Sequence, residues 1–387
     1  MKQKLLSLIF TLTGSMSLCA PTTQGQEIAT WSDWCSSAVT FSFWNAADRH
    51  VSHEWAVEKL DLYGYKGTFA IVTNWSTNYW DTYKGYAQNG HEMGSQSDNY
   101  GSPASSSELS SSKNTIETNI GQPCLTIAYP NGIHMGNTVS DYYISGLIYS
   151  GYNQINPSSP SDMTKVDGIM TGSNGLNTQD ALTSKCENAK NSNGWVVFII
   201  IGFDGIDNGF FSPLNQSAFT GTLNWLDNNK STYWVGTMRD VAMYIKERDN
   251  ATFKKTAQDA STITYSLTLE LDKTLCNWDY PLSLRVPMPN EWTKVTVSQN
   301  GMILDSNIKD GKVYFKAIPN GGNIVLSQNN DIESNPTISD IPAGWKVNDK
   351  IPSEGKVSVT KGAKVVVIPA NIPAGKKIKS IKLVPTE

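Results

Sequence analysis

The stretch "AVTFSFWNAADRH", residues 38–50, decides how this chain is read. Residues 38–43 are apolar, aromatic or β-branched, with small hydroxyls between them, the make-up of a buried strand. An Ala-rich corner follows, and the run after it has helical character. In folds built from strand–helix units, chemistry collects where strands end. A turn in that place ordinarily carries carboxylates. This one carries Trp44 and Asn45.

The same alternation continues outward. "HEWAVEKLDLYGY" (53–65) has helical spacing and stops near Gly64, and "GTFAIVT" (67–73) is a strand. "SSSELSSSKNTIETNI" (105–120) opens on cap residues and continues as a helix, and "CLTIAYP" (124–130) is a strand that Pro130 terminates. "DYYISGLIYSGY" (141–152) is predicted as a helix ending at Gly151. "GWVVFIIIGF" (194–203) is nearly all apolar, as expected of a strand covered on both faces. "SAFTGTLNWLDNN" (217–229) and "MRDVAMYIKERDNA" (238–251) are helices flanking the short strand "TYWVGT" (232–237). Repeated strand–helix units predict an α/β fold: a parallel sheet with crossover helices, open or closed into a barrel.

After residue 256 the character changes to short alternating strands: "STITYSLTLEL", "YPLSLRVPMP", "TKVTVSQNGMIL", "KVYFKAI" and "GGNIVLSQ". "QNGM" and "IPNGGN" are hairpin-like turns between them. The expected domains are a leader at 1–26, an α/β domain at 27–256, a small sandwich-like all-β module at 257–328, and a linker plus small β module at 329–387. Lys376, Lys377 and Lys379 in that tail read as a solvated edge that discourages strand addition.

The 387 residues are 39% hydrophobic and 17% charged, with a net charge of −4, enough to fold two or three domains. There is no basic run and no excess of Lys and Arg, so nucleic acid is not an expected partner. Lys2 and Lys4 followed by an apolar stretch at 5–18, too short to span a bilayer, predict export to the periplasm or outside the cell. Cys19 raises lipid anchoring, but Leu18 before it fits that poorly, and simple cleavage before about residue 26 is the expectation. No later stretch is long and apolar enough for a membrane helix. Cys35, Cys124, Cys186 and Cys276 then remain, as buried thiols or as disulfides whose pairing spacing cannot choose.

Set side by side, the strand ends are "FSFWNA" (41–46), "NGHEMGSQSDNY" (89–100), "IAYPNG" (127–132) and "IIGFDGID" (200–207). In this order they resemble the polysaccharide deacetylase family, also called the NodB-homology or carbohydrate esterase 4 family, over residues 36–248. The resemblance implies a distorted parallel β/α barrel that removes acetyl groups from acetylated sugars. It implies a divalent metal such as zinc on an Asp and two His, a second Asp as base and a late His as acid. The positions that would do this have changed. The base position is Trp44 and the ligand Asp position is Asn45. The two His positions are Gln96 and Tyr100, and the late His position falls on Asp204. The third motif survives as Tyr129, Pro130, Asn131 and Gly132 without its Arg. Neutral amides and a phenol do not hold zinc as a carboxylate and two imidazoles do. The expectation is a carbohydrate-handling protein with no metal cofactor and its deacetylase chemistry lost.

Three uses of such a cleft follow. Trp44, Tyr100, Tyr129, Trp75 and Trp80 would stack on sugar, with Asn45, Gln96, Asp98, Asn131 and Asp204 as hydrogen-bonding groups; the competing reading of the aromatics is core packing. A relocated metal site could use Asp48, His50 and His53, one helical turn apart, which read equally as polar residues at a helix start. A carboxylate pair from Asp98, Asp204, Asp207 and Glu92 would suit glycoside hydrolysis. His91, within "GHE", reads as structural, and His134 as a loop side chain.

Overall fold

The structure is a computed structural model and describes residues 25–46, 48–101, 105–206 and 211–328, with the pairs 345–346 and 384–385. The expected leader, Cys19, Asp207 and nearly all of the C-terminal tail lie outside the described residues. The chain divides into two units, Met1–Ser327 and Gln328–Glu387. In the second, Trp345–Lys346 pairs antiparallel with Val384–Pro385.

In the first unit β1 (Glu27–Ile28) precedes an alternating series. Its first half is β2 (Ser37–Ala46), α1 (His50–Leu62), β3 (Thr68–Ile71), α2 (Trp80–Gln88), β4 (Glu92–Ser95), α3 (Ser106–Ile120), β5 (Thr126–Ala128) and β6 (Ser145–Ile148). Its second half is β7 (Val166–Asp167), β8 (Ile169–Met170), α4 (Gln179–Asn191), β9 (Trp195–Ile200), β10 (Gly202–Phe203), β11 (Pro213–Leu214), α5 (Gln216–Asn228), β12 (Tyr233–Val235) and α6 (Met238–Asn250). Eight strands form one sheet in the order β7-β6-β5-β4-β3-β2-β9-β8, with parallel pairings, and β12 lies along β2. The two edge strands β7 and β8 are separated in the chain by Gly168 alone, so the sheet curls into a nearly closed parallel barrel. A Cβ on Gly168 would lie 2.5 Å from Ile199 Cδ1, so only glycine lets the edges meet over that core residue. This is the expected distorted β/α barrel.

Local chemistry explains the helices. Ser105 Oγ accepts from the Glu108 amide at the start of α3, and Gly121, with φ 79°, closes that helix. Thr178, Asn215 and Thr237 cap α4, α5 and α6 in the same way. Residues 141–152 are not a helix. A 3₁₀ turn at Asn137–Asp141 leads into strand β6, whose short apolar run was read with the wrong period. Helices α2 and α4 were not foreseen: α4 is mostly polar, and α2 is a short aromatic-rich run with Gly85 inside it.

Past the barrel come β13 (Ala251–Gln258), β14 (Thr262–Leu269), β15 (Leu282–Pro287), β16 (Val295–Gln299), β17 (Met302–Leu304), β18 (Ser306–Lys309), β19 (Lys312–Ala317) and β20 (Ile324–Gln328). They form two antiparallel sheets, β1-β15-β19-β18 and β13-β14-β20-β16-β17. Asn300 and Gly301, with φ of 48° and 80°, turn β16 into β17 as the "QNGM" signal predicts. The module shares its core with the barrel: Tyr244 of α6 is buried among Tyr265, Leu284, Trp292 and Phe315, and its hydroxyl donates to the Ala29 carbonyl at 2.9 Å. Among the described residues no helix is long and apolar enough to cross a membrane. Cys35, Cys124, Cys186 and Cys276 are free thiols. Burial pushes the Cys35 thiol up to about 12, so it is protonated and unreactive at neutral pH.

Candidate functional site

The carboxyl ends of the barrel strands surround a cleft of about 360 Å³, the size of a small-ligand site. The decisive turn lies in it. The pairing of β2 with β3 slips between Phe43 and Ala46, and Asn45 takes a left-handed φ of 59°. A bulge of this kind re-aims side chains, and here it turns both Trp44 and Asn45 to the cleft. Three further non-glycine residues at strand ends are left-handed: Ser97 at 66°, Tyr100 at 59° and Asn131 at 55°. Such residues each cost on the order of 1–3 kcal/mol and persist where the surroundings over-determine them. A Cβ on neighbouring Gly132 would lie 2.5 Å from that of Tyr149, which fixes the "YPNG" loop against the end of β6.

The hydrogen bonds run between motifs. The Asn45 amide donates to Gln96 Oε1 at 2.8 Å, joining the first strand end to the second. The Gln96 amide donates to the Ile71 carbonyl at 2.7 Å, and Thr73 donates its backbone N–H to Ser97. The Asn131 amide points at the Tyr100 hydroxyl, while burial of that phenol raises its pKa, so Tyr100 is neutral. Against this order, several polar atoms are left over. Trp44 Nε1, Asn45 Oδ1, Gln96 Nε2 and Ser97 Oγ are buried without a partner. Buried polar groups are ordinarily satisfied; of these four residues Trp44 and Asn45 line the cleft, where a ligand would complete their bonds, while Gln96 and Ser97 are fully buried and are not among its lining residues.

The remaining lining is Asn131, Tyr149, Met170, Ile201 and Phe211. Among the described residues the cleft wall carries no carboxylate, imidazole or ammonium group. Tyr149, Met170, Ile201 and Phe211 were not anticipated. Tyr149 follows the strand misread as helix, and Met170 ends a two-residue strand too short to leave a periodic signal. Trp75 stacks on Tyr100 at 5.3 Å between ring centroids and is 41% exposed, so the aromatic surface continues out of the cleft.

Other expected site residues lie elsewhere. Tyr129 is fully buried and its hydroxyl donates to the Thr164 carbonyl at 2.7 Å, so it is core. Trp80 packs edge-on to Tyr83 at the margin of the barrel core. Asp98 accepts from the Thr73 hydroxyl and does not line the cleft. Asp204 is exposed beyond β10, and the residue at the end of β9 that faces the cleft is Ile201. Glu92 is buried at the opposite, amino-terminal end of β4, so among the described residues it is not available to a carboxylate pair at the cleft, and neither Asp98 nor Asp204 lines that cleft. Asp48, His50 and His53 also diverge. Asp48 pairs with Arg49 at 2.7 Å, His50 stacks on Tyr79 at 4.6 Å, and His53 is buried edge-on to Phe43 and Phe69. Burial lowers the His53 pKa to about 3 and keeps the ring neutral. Among the described residues no three His, Cys, Asp or Glu side chains form a metal-holding group. His91 is structural: Nδ1 accepts from the Gly67 amide at 3.1 Å and Nε2 meets Asp61 at 3.2 Å. His134 faces Tyr129 and Thr164.

The family's metal can be tested against this donor set. Asn45 and Gln96 offer neutral amides, Gln96 Oε1 is committed to a backbone N–H, and Tyr100 is a neutral phenol. Zinc binds anionic or imidazole donors, so these residues do not fit it.

The polysaccharide deacetylase family model matches residues 45–147, from the first strand-end turn to the end of β6, and the resemblance drawn from the motifs holds. A gellan lyase from a Bacillus species is 25% identical over 336 residues, which is 78% of this chain and 13% of that protein; the chain thus spans only a small part of that relative. The fold is similar to a family 4 acetyl xylan esterase from Clostridium thermocellum, at 14% identity and a TM-score of 0.36, covering 53% of this chain and 89% of the other. It is also similar to a family 4 carbohydrate esterase pseudoenzyme from Bacillus anthracis, at 15% identity and a TM-score of 0.37, covering 53% and 65% of the two chains.

Proposed function

We propose that this polysaccharide-deacetylase-like protein is an exported carbohydrate-binding protein whose barrel mouth holds a sugar without removing its acetyl groups. One observation carries the reading. Three of the family's catalytic positions, Trp44, Asn45 and Tyr100, line one cleft with Asn131, but they are an indole, an amide and a phenol, and the indole N–H of Trp44 and the amide oxygen of Asn45 are left open. Tyr100 and Trp75 supply flat apolar surface for the C–H faces of a pyranose, while Trp44, 2% exposed and packed in the core, and Asn45 turn their open indole and amide groups to the cleft to bond hydroxyls. None of these groups takes or gives a proton at neutral pH, and none holds a metal that would activate water. Bound sugar is therefore oriented and left intact.

Export rests on the charged start and short apolar run of the leader, and a polysaccharide ligand is in keeping with the relative named as a gellan lyase. The test is retention on immobilised glycans. The chain is expected to be held by at least one polysaccharide, and Trp75→Ala and Gln96→Leu are expected to weaken that retention. Equal retention by both variants, with folding intact by circular dichroism, would refute the mouth as the binding site.

A further inference from the structure

The molecule has a second cavity, of about 510 Å³, at the other end of the barrel strands where the β module meets them. Its wall combines Glu27 of β1, Trp34 and Ser36 before β2, Lys190 and Asn193 at the end of α4, and Arg285 of β15. We propose that this seam cavity is a separate binding site for an acidic glycan, one whose sugars carry a carboxylate. The site is independent of the mouth and stands whether or not the mouth takes sugar.

Four observations meet here. The first is charge. Glu27 is the one carboxylate of the wall, and both its oxygens are already engaged, by Arg285 Nη2 at 2.5 Å and Lys312 Nζ at 2.8 Å. Those bonds, Arg285 first, hold its pKa down at about 2. Lys190 is exposed and has no ion pair among the described residues, so cations outnumber the carboxylate in a chain that is acidic overall. The second is an aromatic wall. The Arg285 guanidinium lies 3.9 Å from the Trp34 ring centroid, and Tyr314 meets the same ring edge-on at 5.6 Å. The third is backbone strain: Asp33 and Trp34 are consecutive left-handed residues, with φ of 58° and 61°. That conformation is rare for a bulky side chain, and here it sets the indole against Arg285 at the cavity. The fourth is unmet hydrogen bonding. Trp34 Nε1 and Arg285 Nε are buried donors without a partner, and close by in the chain the Ser37 hydroxyl and the acceptor Gln26 Oε1 are unpartnered too. Two open N–H donors beside an unpaired ammonium suit carboxylate oxygens. The aromatic wall, the Ser36 hydroxyl and the Asn193 amide suit the rest of a sugar ring.

Titration calorimetry on the whole chain at low salt, with a tri-uronide, a neutral xylotriose and a tri-glutamate peptide, tests this. The tri-uronide is expected to bind, with Lys190→Glu about tenfold weaker and Lys190→Gln about threefold weaker, and with affinity falling as salt rises. Lys190 is exposed at a helix end, so both variants are expected to keep the melting temperature. Hydrogen exchange in the complex should slow in residues 27–36 and 190–194. Unchanged tri-uronide affinity in both Lys190 variants, protection confined to residues 96–101, or equal binding of xylotriose or tri-glutamate would each overturn the proposal.

Discussion

Strand β4 begins and ends on buried polar side chains, and the two ends are built on opposite plans. At its start, Glu92 accepts from the Thr68 hydroxyl at 2.8 Å, the Thr126 hydroxyl at 2.5 Å and the Arg239 amide at 2.8 Å. The carboxylate ties three strands to the first turn of α6, where a helix amino terminus favours negative charge. Just past its end, Gln96 is equally buried, but its amide nitrogen has no partner, and Trp44, Asn45 and Ser97 beside it are likewise incomplete. The floor of the barrel is carboxyl-built and satisfied, although burial raises the pKa of Glu92. The mouth is neutral, strained and unfinished. Satisfied buried polar groups belong to stability, and unfinished ones at a cleft belong to a ligand.

The largest effect that sharpens this contrast is expected at the floor. Glu92→Ala strands three donors in the core, and chemical denaturation should show a loss of about 3–5 kcal/mol. A loss under about 1 kcal/mol would break the contrast at once. The floor side has one exception, Glu247 of α6. It is fully buried, one oxygen accepts from the Tyr280 amide at 3.0 Å, and the other has no partner. Burial, followed by the nearby Asp279 charge, raises its pKa to about 8, against the backbone bond from Tyr280. The folded chain therefore holds this proton at pH values where the unfolded chain has lost it. Its contribution to stability falls as pH rises from near 4.5 towards 8. Glu247→Gln should flatten that slope and gain about 1–2 kcal/mol at pH 9, read from urea midpoints.

At the mouth the balance is expected to invert. Trp75→Ala should weaken glycan binding about tenfold while costing only about 1 kcal/mol of stability, since the side chain is 41% exposed and packs chiefly on Tyr100. Asn45→Gly is the smallest and sharpest case. Glycine adopts φ 59° freely and removes an unpaired amide, so the variant should be more stable by about 0.5–1 kcal/mol and bind glycan less well. A destabilised Asn45→Gly variant would mean that the turn is packing, not a ligand site.

Much of this was legible in the residues. The apolar run at 194–203 and the cap-led helix at 105–120 declare themselves through period and capping. The motif order placed Trp44, Asn45, Tyr100 and Asn131 at one cleft, and all four line it. Other features were hidden for physical reasons. Residues 145–148 alternate too briefly to tell strand from helix. Asp204 seemed to end β9, but the strand stops at Ile200, and Ile201 takes the place at the cleft. Tyr129 sits one residue before a cleft loop, yet its hydroxyl turns inward to Thr164, a contact no local pattern encodes. The seam cavity joins residues 27–36, 190–193 and 285, too far apart in the chain for any spacing rule to connect.

The central claim is that the mouth grips sugar and cannot cut an acyl bond, and acetate release tests it most directly. The purified chain, given excess zinc and an acetylated glycan that it retains, is expected to release no more acetate than buffer with zinc. Steady acetate release proportional to protein concentration, lost on substitution of Asn45 or Gln96, would contradict it.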